Sequence, residues 1–484
     1  SPKVSLDTNQ TLFATLTAIN ACGYDTELSV SDPLRAEIRE EVAKATETSM
    51  QAREDTDLLC NYYREHAQAD PSRTLAQYVS LALLLDGPPN FSLKVKDSDL
   101  PPDAMNVVGF VPILQKFYNS AGLANIWARH QDAYESLTAR YHEPLSKVLF
   151  DTEIYLKLPS AGYLGHSFSV YLDPMGAPDQ TNARNYGSDY YVVISPGVAP
   201  TLKIEQIRHT YLHYLLDPLA MKYSILIDGL KPLLDRVKKA PMDDSFKEDI
   251  SLLVTESFIR AIEARTSSTG KTSEAEREAA VQRDGEQGYV LTEYFYDALV
   301  QFEKSPTGLR NAYSDLIGRI DLRKEEKRAS NVQFATRADP ELVRFSQPSH
   351  PKLLVTAEQR LSAGDAESAK KLAQQALDSK TEDPGRALFI LAQVATMNRD
   401  MQGARHYFEQ ALGVAQEPKV VAWSHIYLGR ILDLEEDRAA AIDHYRLALS
   451  ASASLPEAKA AAEHGLAQPF EPPAHPQNDP GKRN

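Results

Sequence analysis

At 484 residues the chain is too long for one ordinary domain, and a length prior suggests roughly two to four. Its 43% hydrophobic and 25% charged residues match a globular protein with a sizeable core. The net charge of -15 argues against nucleic acid as the main partner, and no run of about 18 apolar residues predicts a membrane span.

The segment from about 10 to 85 has a helical pattern. "TLFATLTAINACGYD" brings Leu12, Leu16, Ile19 and Cys22 near one face and stops at Gly23. "SDPLRAEIREEVAKA" opens with a Ser/Asp cap and a first-turn proline. "TLAQYVSLALLLDGPPN" reads as a buried helix ended by Gly87-Pro88-Pro89. Further helices are expected around "VGFVPILQKFYNSAG" and through "NIWARHQDAYESLTARYHEPLSKVLFDTEIYL".

Near residue 160 the texture changes. "HSFSVYLDP" and "DYYVVISP" are β-branched and aromatic runs, each closed by proline, and predict two strands flanking the polar loop "MGAPDQTNARNYGS". A helix carrying "IRHTYLHYLLDP" follows, then more helices to about residue 330. Among these, "RTSSTGKTSEAEREAAVQRDGEQG" is so polar that a mobile excursion is expected. "ATRADPELVRFSQPSHP" reads as a linker.

From about residue 350 the chain repeats itself. "GDAESAKKLAQQAL", "RDMQGARHYFEQAL" and "EDRAAAIDHYRLAL" align without gaps at offsets of 35 and 37 residues. Asp365, Asp400 and Asp437 open the blocks, with Ala369, Ala404 and Ala441 and then Ala376, Ala411 and Ala448 in phase. Small residues there allow close helix packing, with Phe408 and Tyr445 as knobs and Leu428-Gly429 as a close contact. This pattern resembles the tetratricopeptide repeat, which implies paired helices whose concave groove docks a peptide or protein. The Pro-rich end "QPFEPPAHPQNDPGKRN" predicts a disordered tail.

Two histidines four residues apart, His209 and His213, lie about one turn apart on one helix face and can share a cation. A third ligand is offered by Glu256, set among Leu252, Leu253, Val254, Phe258 and Ile259, where an uncompensated carboxylate is unfavourable. Glu263, seven residues on, is the fallback. Glu205 and Asp217 extend the histidine stripe and are placed to orient an imidazole, although Asp217 before Pro218 also fits a helix end.

Strand, histidine helix and later glutamate helix together resemble the gluzincin zinc metallopeptidases over roughly residues 160 to 300. The resemblance implies Zn2+ held by His209, His213 and Glu256. It also exposes a departure: Thr210 stands where the family carries its general-base glutamate. A threonine hydroxyl is no base near neutral pH, and losing such a group costs about 10²–10⁴-fold in rate. Glu205 is a weak substitute base.

The expected architecture is mainly α with a small β-sheet. It comprises an N-terminal helical region (1–90), a metallopeptidase-like α+β domain (91–340), tetratricopeptide repeats (341–466) and a tail (467–484). The expected function is that of a zinc-metallopeptidase-like protein with weakened or lost peptidase activity. A non-enzymatic scaffold acting through the repeats and an active hydrolase with an unusual base stay open beside it. Cys22 and Cys60 either pair, in an oxidising compartment, or stay as buried thiols. A start at Ser1 fits a processed or trimmed N-terminus, no signal peptide is present in the sequence, and the expected location is secreted or periplasmic. "SSTGKTS" lacks the first glycine and leading strand of a phosphate loop, and His130 and His166 read as satisfied or exposed histidines.

Overall fold

The computed structural model describes residues 3–158, 167–187, 189–267, 272–346, 353–379 and 382–472. His166, the Gly270-Lys271 pair and the tail beyond 472 lie outside the described residues. The protein is mainly helical with one small mixed sheet, and it divides into two units, Ser1–His350 and Pro351–Asn484.

In the first unit the sheet has five strands: β1 (Lys3–Asp7), β2 (Ser167–Leu172), β3 (Asn182–Tyr186), β4 (Asp189–Ile194) and β5 (Arg344–Ser346). Their spatial order is β1-β2-β4-β3-β5. The two expected strands are β2 and β4, and they pair in parallel. β1 also runs parallel to β2, a pairing that needs a long crossover; the N-terminal helices supply it.

β3 corrects the expectation of a loop between the strands. Its polar sequence is tolerated because Arg184, fully buried, donates to Ser80 Oγ (2.7 Å), Ala183 O (2.8 Å) and Ala76 O (3.0 Å). β5 corrects the expected linker in the same way, pairing in parallel with β3.

Side chains alternate across the sheet. On one face Phe168, Val170, Leu172, Tyr190, Val192 and Ile194 pack with Ile207, Tyr211 and Tyr214 of the helix Ile204–Lys222. Tyr141, Leu145 and Leu149 of the long helix Leu123–Leu156 join them. Each such side chain, fully buried, contributes about 1.5–3 kcal/mol. Tyr171, Tyr191 and Val193 face the other way, against the N-terminal helices.

The helix Gln10–Ala21 is buried along nearly its whole length, capped by Asn9 accepting from Leu12 N at 2.8 Å. It ends at Cys22, which forms a disulfide with Cys60 of the helix Met50–Glu65. The polar stretch expected as an excursion instead contains a helix, Glu274–Gln287. Ser273 and Glu276 cap its start reciprocally, and Gly288 at φ +119° ends it.

In the second unit three helix pairs, Leu353–Ser362 with Ala366–Ser379, Pro384–Met397 with Met401–Val414, and Pro418–Leu434 with Arg438–Ala451, precede a last helix, Pro456–Ala467. The six in-phase alanines are all buried, as are Phe408 and Tyr445. Gly429 and Gly465 both sit under the Tyr445 ring, where an added Cβ would come within 2.7 and 2.4 Å of ring carbon Cε1.

Each repeated aspartate is an N-cap: Asp365, Asp400 and Asp437 accept from Ser368 N, Gly403 N and Ala440 N at 2.9–3.2 Å. The residue before each one, Gly364, Arg399 or Glu436, is left-handed, at φ +81°, +60° and +63°. All three aspartate N–H groups reach back to close the preceding helix, at 2.9 Å onto Arg360 O, Ala395 O and Leu432 O.

Candidate metal centre

The site is built where Ile204–Lys222 crosses Ile250–Thr266 beneath the sheet. The first helix is anchored by its aromatic and aliphatic residues against β2 and β4, which turns His209 and His213 toward the second helix. The second starts at the cap Asp249, which accepts from Ser251 N at 2.8 Å. Apolar neighbours Leu253, Val254, Phe258 and Ile259 bury it and carry Glu256 inward.

Both imidazoles converge on one atom. Glu256 Oε2 lies 3.1 Å from His213 Nε2 and 3.4 Å from His209 Nε2. All three side chains are buried, exposed by 7%, 8% and 3% for His209, His213 and Glu256. Their ligand atoms lie within 4.8 Å of one another, the only such group of three among the described residues. A tetrahedral centre with bonds near 2.0–2.1 Å has ligand–ligand edges of about 3.3 Å. The two Glu256 edges already have that length.

The far nitrogens are held too. His209 Nδ1 donates to Glu263 Oε1 at 2.7 Å, and His213 Nδ1 donates to Asp217 Oδ1 at 3.1 Å. Asp217 Oδ2 in turn accepts from Tyr190 of β4 at 3.0 Å. A carboxylate on Nδ1 leaves Nε2 facing the centre, the arrangement typical of metal-bound histidine. Glu263, the fallback ligand, therefore orients His209. Asp217 is no helix end, because the helix continues through Pro218 to Lys222.

Glu256 has a second neighbour on its other oxygen. Arg260 Nε donates to Oε1 at 2.9 Å, its Nη1 donates to Asp284 Oδ1 at 2.8 Å, and its guanidinium lies 3.8 Å over the Tyr289 ring. Asp284 comes from the helix that sequence reasoning reads as an excursion.

Burial works to discharge His209, yet Glu263 and Glu256 push it up to about 10. Burial opposes charge on His213 as well, and Asp217 and Glu256 push it up to about 9. Burial also disfavours the charged form of Glu256, but His209 and Arg260 hold its carboxyl well below the usual range. Burial raises Asp284 to about 6 against the pull of Arg260. Two imidazolium protons and one divalent cation carry equal charge. Exchanging one for the other keeps the buried charge balanced, and metal uptake by protonated ligands releases protons in this way.

Thr210 is fully buried, and its hydroxyl donates to Gln206 O at 3.1 Å. It holds its own helix and offers no base. Glu205 is not among the converging groups: its side chain is 64% exposed and lies 3.8 Å from Arg208 Nη1. Of the histidines set aside, His130 Nε2 donates to Glu41 Oε1 at 2.6 Å. Arg260, Asp284, Tyr289 and Tyr190 escaped sequence reasoning. Only Arg260 left a local signal, four residues after Glu256 on one helix face.

Compared with known protein families, curated proteins and solved structures, the chain matched none.

Proposed function

We propose that the protein is a gluzincin-like zinc protein in which peptidase chemistry is weakened or lost and peptide recognition is retained. The observation that carries this reading is the convergence of His209 Nε2, His213 Nε2 and Glu256 Oε2, with both Nδ1 atoms already fixed by carboxylates. Two imidazoles and one carboxylate suit zinc and leave a fourth position for water. Zinc, when bound, supplies a Lewis acid and lowers the pKa of that water.

The chain's own residues do the rest. Glu263 and Asp217 set the imidazole tautomers, and Arg260 holds Glu256 to one ligand oxygen. Thr210 supplies no proton acceptor, so the step that a glutamate performs in the family has no performer here.

The helix pairs of the second unit, with small residues in phase, are read as tetratricopeptide-like repeats that dock a peptide or protein. The Cys22–Cys60 disulfide favours a secreted or periplasmic location. Among the described residues no helix is long and apolar enough to cross a membrane.

Metal analysis of the purified full chain tests the reading. One zinc per chain is expected, lost in His209→Ala; no metal at all refutes it and leaves the repeats as an adaptor. With zinc present, Thr210→Glu is expected to gain peptide cleavage if the site is a decayed peptidase.

A further inference from the structure

β3 would be an outer edge of the sheet if β5 did not cover it. An edge strand offers unpaired N–H and C=O groups to any extended peptide. Here the first to take them is the chain itself. Arg344, Phe345 and Ser346 pair with Asn182, Ala183 and Arg184, and Arg344 N donates to Thr181 O at 2.7 Å.

The register places Phe345 beside Ala183, whose partner on β4 is Val192, on the face that receives the histidine helix. Ala183 is small and leaves room for a ring. Phe345 fills that room, with its centroid 5.3 Å from the His213 ring and its side chain against the core shared by sheet and helix.

The cover is separately rooted. Upstream the chain is fastened elsewhere: Ala335 N donates to Glu286 O (2.9 Å), Gln287 Nε2 to Arg337 O (3.2 Å), and Asp339 N to Gln287 Oε1 (2.8 Å). This root at residues 335–339 can stay in place while residues 344–346 leave the edge.

We propose that Arg344–Ser346 is a built-in occupant of a peptide-docking edge, which it blocks against an extended segment bearing an aromatic residue opposite Ala183. The proposal rests on the metal reading for its meaning, since Phe345 then shields the His213 side of the centre. A tethered strand competes at an effective concentration in the millimolar range, so a free peptide docks only when the strap is weakened.

The test uses the full chain and a fluorescein-labelled peptide of residues 339–346, DPELVRFS, read by fluorescence anisotropy. Phe345→Ala protein is expected to bind it at least tenfold more tightly than the wild type does, and neither protein to bind DPELVRAS. Equal affinity of wild type and variant for DPELVRFS overturns the proposal. Hydrogen exchange on the wild type tests it without a substitution. The Arg344 amide, which donates to Thr181 O, is expected to exchange at least tenfold faster than those of Val192 and Val193, and equal protection overturns it. Zinc is measured on the same samples. Docking without zinc sinks the metal reading and keeps the strap; zinc without docking does the reverse.

Discussion

In the second unit a side chain meets partners a fixed number of residues away. Tyr445 lies over Gly429 of the neighbouring helix, and Asp400 caps the helix that it begins. Around His209 the partners come from separate segments: Glu256, Arg260 and Glu263 from one helix, Asp284 from another, and Tyr190, through Asp217 and His213, from a strand. The first construction repeats a local rule, so damage stays where it is made. The second balances buried charge, so each group depends on the others being present.

Removing the shared carboxylate breaks the balance most sharply. In metal-stripped protein, Glu256→Ala leaves two imidazoliums and Arg260 facing a void, and a loss of about 3–5 kcal/mol in urea unfolding is expected. A loss under about 1 kcal/mol would show that the cluster is not coupled. Phe408→Ala removes a buried ring of the repeats and is expected to cost a similar 3–5 kcal/mol, yet to leave the zinc content unchanged. Loss of zinc in that variant would end the contrast between a local and a convergent construction.

Asp173 shows what an uncompensated carboxyl does. Fully buried, it accepts from Tyr134 and from Met175 N through Oδ1, while Oδ2 has no partner, and burial raises it to about 7. Its folded pKa lies above the unfolded value near 3.9. Its contribution is therefore complete below that value and fades as pH rises through 7. The stability difference between wild type and Asp173→Asn should shift toward the variant over that window, by at most about 1.4 kcal/mol per pH unit. A flat difference would show the group is not buried as described. The smallest effect is expected of Asp437→Ala, about 1 kcal/mol for one lost cap, with circular dichroism otherwise unchanged.

The same contrast explains what could be read in advance. The repeat was legible because its rule is local: cap, alanine, alanine and knob recur in phase. Even there, the left-handed residue before each aspartate appears as glycine only once, because Arg399 and Glu436 adopt it without announcing it. His209, His213 and Glu256 were legible through a four-residue spacing and an acid in an apolar run. Asp284 was not, since charge density around it reads as a mobile stretch until Arg260 is known to wait for it. β3 and β5 were hidden for a related reason. Strand pairing is non-local, and "NARNY" becomes a strand only because Arg184 finds the Ala76 carbonyl and the Ser80 hydroxyl on another element.

On the proposed reading that the cluster holds an ion, Arg260 also decides which cations it can tell apart. With Oε1 engaged, Glu256 presents one oxygen, so the cluster offers two nitrogens and a single oxygen. Calcium wants six to eight oxygens and often a bidentate carboxylate, and magnesium a near-octahedral oxygen shell. Neither finds it here. On that reading one arginine, which touches no ion itself, would tilt the cluster toward borderline metals and away from the two dications most abundant in biological fluids.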